Sequence, residues 1–96
     1  MRFFKWFFNR EKIEDLELEL RGLELRLPSM EDRAVRSRET ARFAEENFKS
    51  GFGKTDLEIA QSVQYYRNDA EADEAEVSEM KFRILEIKSE LERLGR

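Results

Sequence analysis

The sequence predicts an all-α protein: an antiparallel helical hairpin of coiled-coil type with a first arm broken at Pro28, a long second arm, and a short aromatic amphipathic segment in front. The main observation is periodic. Ile59, Val63, Tyr66, Ala70, Asp73, Val77, Met80, Ile84, Ile87, Leu91 and Leu94 recur at spacings of four and three without a slip, which is the a/d seam of a heptad repeat. A second seam of the same spacing runs through Ile13, Leu16, Leu20, Leu23 and Leu27 and on through Met30, Ala34, Ser37, Ala41, Ala44 and Phe48. Composition agrees: 42% of the residues are charged, with four Gly and one Pro, as in long helices rich in surface.

The same composition narrows the function classes. A chain of 96 residues holds at most one domain and buries a small core unless it is stapled or oligomerises. Without Cys there is no disulfide or thiolate chemistry, and without His the commonest metal ligand and general base is missing. The net charge of -4 names no partner. No apolar run approaches the ~20 residues of a membrane span. Residues 1–11 lack the small-residue cleavage site of a signal peptide, so the chain is expected in the cytoplasm or inside an assembled particle. The expectation is a non-enzyme with no catalytic residues, metal, cofactor or small-molecule substrate.

Two parts are expected: an anchor segment over 1–8 and one helical hairpin domain over 9–96. Residues 1–8 read Met-Arg-Phe-Phe-Lys-Trp-Phe-Phe. On a helix, Phe3 pairs with Phe7 and Phe4 with Phe8, while Arg2, Lys5 and Asn9 fall on the other side. Each ring can bury roughly 150–250 Å², so Phe3, Phe4, Trp6, Phe7 and Phe8 together need a cover. Three covers fit: the bundle's own end or a homo-oligomer core, a groove on a partner protein, or a bilayer interface flanked by cations.

The next helix is expected over 10–27, with Asn9 as N-cap and Glu11 and Glu14 near its positive end. A rival exists, because Leu16 to Leu20 and Leu23 to Leu27 alternate about Arg21-Gly22 as a β-hairpin would. Leu and Glu are strong helix formers and poor strand formers, and the hairpin would set Glu19 against Glu24, so the helix is preferred. Leu18 and Leu25 then lie away from the seam, which makes this helix apolar on two sides.

Pro28 ends or kinks that helix, and Ser29 with Asp32 forms an approximate capping box for another over 29–50. Its seam residues are smaller and permit closer approach; Val35 and Phe43 lie off the seam. Gly51 is the expected stop, Phe48 and Phe52 mark the loop tip, and Thr55-Asp56-Leu57-Glu58 is a capping box opening the long helix over 55–95. At ~1.5 Å per residue that helix is ~60 Å long, more than a small core requires, so it must pair along its length. Folding back gives an antiparallel hairpin in which Arg33 and Arg36 approach Asp69, Glu71 and Glu74, and the stretch from Glu14 to Glu19 approaches Lys88 and Arg93. Asp73 sits on the seam itself. It marks a wet waist near Pro28, pairs with Arg33, or serves as a functional carboxylate.

Other motifs fail on inspection. Gly51-Phe52-Gly53-Lys54-Thr55 ends like a phosphate-binding loop, but Phe48 stands where that loop needs its first Gly. Asp69 to Glu79 is rich in carboxylates, but Glu74 occupies the position where a calcium loop turns on Gly. Arg33, Arg36, Arg38 and Arg42 are interleaved with Glu31, Asp32 and Glu39, which dilutes their field and argues against nucleic acid. The functional expectation is a structural or interaction protein. It docks through its aromatic N-terminus and through Leu18, Leu25, Val35, Phe43, Phe82 and Leu85 onto copies of itself or a larger assembly, such as a virion or membrane complex. The alternative is a peripheral membrane protein anchored in the bilayer interface by residues 1–8.

Overall fold

The computed structural model describes residues 2–47 and 55–95, with side chains from Asn9 onward. Two helices account for nearly all of them: α1, Arg2–Asn47, and α2, Asp56–Arg93. They form an antiparallel helical hairpin, and among the described residues there is no strand. The alternation about Arg21-Gly22 is therefore helical, as the Leu and Glu propensities required.

Two boundaries differ from expectation. α1 begins at Arg2 and is continuous to Asn47, so Asn9 and Ser29 lie inside a helix and cap nothing, and the helices expected over 10–27 and 29–50 are one element. Residues 2–8 belong to it because their amphipathic spacing is already helical. Pro28 stands inside the helix although it lacks an N–H and its ring crowds the carbonyl four residues back, a cost of roughly 3 kcal/mol. The heptad phase explains the tolerance. Leu27 and Met30 continue the seam without a slip and are each half-buried in their own unit, so packing on both sides of the proline offsets the lost ladder bond. The expected stop at Gly51 and the loop-tip residues Phe48 and Phe52 lie outside the described residues.

The chain divides into two compact units, one of Met1–Pro28 with Glu79–Arg96 and one of Ser29–Ser78. In the first, α1 contributes Ile13, Leu16, Leu20, Leu23 and Leu27, all half-buried, and α2 contributes Met80, Ile84, Ile87 and Leu91, all buried, with Leu94 half-buried. Ile87 is 0% exposed and is the largest fully enclosed side chain among the described residues. Large aliphatic seam residues make this a conventional interlocked core.

The second unit is built from smaller parts. Ala34, Ala41 and Ala44 of α1 and Ala70 of α2 are buried together with Val77 and Asp73, while Met30, Ser37, Ile59, Val63 and Tyr66 are half-buried. Alanine seams let two backbones approach closely, so the unit gains dispersion contact where it lacks apolar volume.

Both ends of α2 are finished locally. The Thr55 hydroxyl accepts the Glu58 amide at 3.2 Å, as the capping box predicted, and Asp56 and Glu58 sit in the first turn where the helix dipole favours anions. At the other end the Leu94 amide donates to the Glu90 carbonyl and the Gly95 amide to the Glu92 carbonyl, each at 3.0 Å. Gly95 has φ of 90°, a left-handed conformation that a side chain would strain.

Candidate interaction surface

The inner seams are consumed by the hairpin, so any site lies on the flanks or the outward faces. The flanks carry ion pairs in a fixed pattern. In the first unit, Arg83 binds Glu19 through two parallel bonds, Nε to Oε1 at 2.8 Å and Nη2 to Oε2 at 2.9 Å. Lys12 Nζ lies 3.0 Å from Glu90 Oε1, and Arg93 also binds Glu90. In the second, Arg38 binds Glu74 through both arms of its guanidinium and Arg67 binds Glu45. Arg38 thus takes the place expected of Arg36, two residues further on, and Arg83 that expected of Lys88, five residues earlier.

The sign order of these pairs holds the register. A slip of one heptad would set Arg38 against Arg67 or Glu45 against Glu74, depending on its direction, and in the first unit Lys12 against Arg83 or Glu19 against Glu90. Exposed pairs add little stability individually, but like-charge contacts on either side of the native alignment penalise both neighbouring registers.

Asp73 is 5% exposed and sits within the second unit's seam. The Ser37 hydroxyl donates to its Oδ2, and Arg33 Nε lies 3.5 Å from its Oδ1. The structure thus gives the pairing with Arg33 and adds Ser37, the facing seam residue. Sequence spacing already placed Ser37 in the seam; a small hydroxyl among alanines was the available signal.

Of the predicted contact residues, Leu18, Leu25, Val35, Phe43, Phe82 and Leu85 are all exposed. The side chains of Phe3, Phe4, Trp6, Phe7 and Phe8 lie outside the described residues, although α1 runs through those positions. Leu57 and Tyr65 are exposed too and were missed. Both lie off the α2 seam, the same signal that marked Leu18 and Phe82. Tyr65 stacks edge-on against Tyr66, with ring centroids 5.5 Å apart. Within the first unit, Leu18 and Leu25 occupy the outermost heptad position of α1, and Phe82 the outermost position of α2.

Surface depressions are open and lined largely by charge: one by Lys12, Leu16, Arg83, Glu86 and Glu90, another by Glu17, Leu20, Arg21, Glu24 and Leu25. Among the described residues no acidic cluster is arranged to hold a metal ion, and no helix is long and apolar enough to cross a membrane.

The flank pairs predict an acid response. Hydrogen bonds from Arg83, Arg67 and Arg38 hold Glu19, Glu45 and Glu74 below their ordinary value of 4.5, and Lys12 followed by Arg93 does the same for Glu90. Each folded pKa is lower than the unfolded one, so the stabilisation is complete above that ordinary value and is lost as pH falls through the folded values. The urea midpoint is expected to drop between pH 5 and pH 3, and to drop less in the Glu19→Gln/Glu74→Gln variant, which starts lower at pH 7. Equal pH slopes in the two proteins would show that the pairs do not persist in solution. The chain matches no protein-family model, no curated protein and no solved structure.

Proposed function

We propose that this chain is a non-enzymatic interaction module whose inner seams set the hairpin and whose outward faces, with the aromatic segment over residues 1–8, dock onto further copies of itself. Such docking would build a homo-oligomer or a larger particle, as in a virion or a membrane complex. The supporting observation is the set of large apolar side chains left on outward positions: Leu18, Leu25, Phe82 and Leu85 in one unit, and Val35, Phe43, Leu57 and Tyr65 in the other. Isolated exposed leucines are ordinary, but a helical pair that fills its seam and still carries apolar residues on its outer faces is the pattern of an element packed on two sides.

Sedimentation velocity over a hundredfold concentration range tests this, comparing the full chain with one starting at Asn9, alongside flotation of both with neutral and anionic liposomes. The full chain is expected to gain mass with concentration, to gain less when truncated, and not to float. A monomer at every concentration overturns the proposal. Flotation of the full chain that is lost on truncation overturns it in favour of a bilayer anchor.

A further inference from the structure

The back of α1 in the first unit carries a feature that the hairpin itself does not explain. Gly22 lies inside the helix, exposed, with ordinary helical φ, and a Cβ built on it meets nothing within 4 Å. Glycine there weakens the helix relative to alanine, and among the described residues no turn, close approach or left-handed geometry requires it. It stands between Leu18 and Leu25, four residues after one and three before the other, so the three share one outward face. Leu18 is 70% exposed and Leu25 75%, the two most exposed of the large apolar side chains described. A bare backbone flanked by two exposed leucines is a notch with a knob on either side.

Charge along the same face identifies the occupant. Glu11, Glu14 and Asp15 outnumber Arg10, which pairs with Glu14 at 3.4 Å, toward its N-terminal end, and Arg21 and Arg26 lie toward its C-terminal end. A parallel copy would lay acid on acid. An antiparallel copy lays each acidic end over the other's basic end, so the face complements itself about a two-fold axis. We infer that a second copy of this chain docks antiparallel on this face, each Leu18 seated on the partner's Gly22, with Glu14 opposite the partner's Arg26 and Leu25 alongside the partner's Asp15. The inference rests on the proposal of self-docking and assigns it one face.

Gly22→Ala makes the test discriminating because its two effects have opposite sign. Within the hairpin the added methyl meets open space and favours the helix, so Tm, measured at a concentration where the parent is monomeric, is expected to rise by about 4–8 °C. At the docked face the same methyl fills the notch, so the dimer dissociation constant from sedimentation equilibrium of the full chain is expected to rise at least about tenfold. Leu18→Ser should also weaken the dimer, with little change in the monomer's Tm. An Arg26→Glu variant should associate poorly with itself and regain association when mixed with Glu14→Arg/Asp15→Arg chains. Self-association that persists unchanged in Gly22→Ala and Leu18→Ser overturns this face while leaving self-docking intact. A parent chain that is monomeric throughout defeats both readings.

Discussion

Truncating Ile87 to alanine is expected to lower the unfolding free energy by about 3–4 kcal/mol, the largest effect of any single seam substitution in the first unit. Ile87 is 0% exposed, so the loss combines the transfer free energy of the missing methyl groups with the cavity they leave between two helices. Domains of this size are stable by only roughly 5–15 kcal/mol, and each kcal/mol shifts Tm by about 4–8 °C, so the variant's Tm is expected to fall by about 12–32 °C. The matched control is Leu85→Ala. Leu85 lies two residues away on the same helix but is exposed in the hairpin, and its truncation should stay within about 0.5 kcal/mol when the proteins are compared at concentrations where they are monomeric. Urea denaturation of the three proteins measures both. Equal losses at positions 85 and 87 would mean that the buried seam is not the one described.

The second large effect concerns the polar layer at Asp73. Removing the Ser37 hydroxyl by Ser37→Ala is expected to cost about 1.5–3 kcal/mol, because a nearly buried carboxylate loses its closest donor while its charge remains. Arg33→Ala should cost less than about 1 kcal/mol, since that guanidinium is mostly in water and reaches Asp73 only at 3.5 Å. Replacing both facing residues, Ser37→Ala with Asp73→Leu, should restore stability or raise it by about 1–4 kcal/mol, because an apolar layer avoids desolvating the charge. The flank ion pairs are untouched in the double variant, so it is expected to keep its register. A double variant that is less stable than Ser37→Ala would show that Asp73 is worth more to the hairpin than its desolvation costs.

These expectations rest on what could and could not be read along the chain. Seam membership was legible because heptad spacing is a one-dimensional property: every described residue from Ile13 to Ala44 and from Ile59 to Leu94 assigned to a seam is buried or half-buried. The partner of each flank charge was less legible. Glu19 lies within reach of several cations in a generic antiparallel hairpin, and its choice of Arg83 depends on the offset between the helices in that unit, a three-dimensional property that spacing along the chain does not carry. Pro28 was read by local stereochemistry as an end or a kink of the helix, and α1 runs on through it. The outward leucines and phenylalanines were found as departures from the seam. Gly22 was read only as part of a possible turn, and its meaning on the helix back emerged once the backbone there was known to be helical and open.

The division of the chain into two units has a kinetic consequence. The second unit pairs residues close in sequence, as in Arg67 with Glu45, separated by 22 positions, whereas the first pairs Arg83 with Glu19 across 64. Closing the shorter span sacrifices less chain entropy, and once it is closed the strands of the longer span are already near one another. Refolding should therefore begin between Ser29 and Ser78 and zip outward. Ala41→Gly is then expected to slow refolding, while Ile87→Ala chiefly speeds unfolding, although its side chain is the better buried anchor.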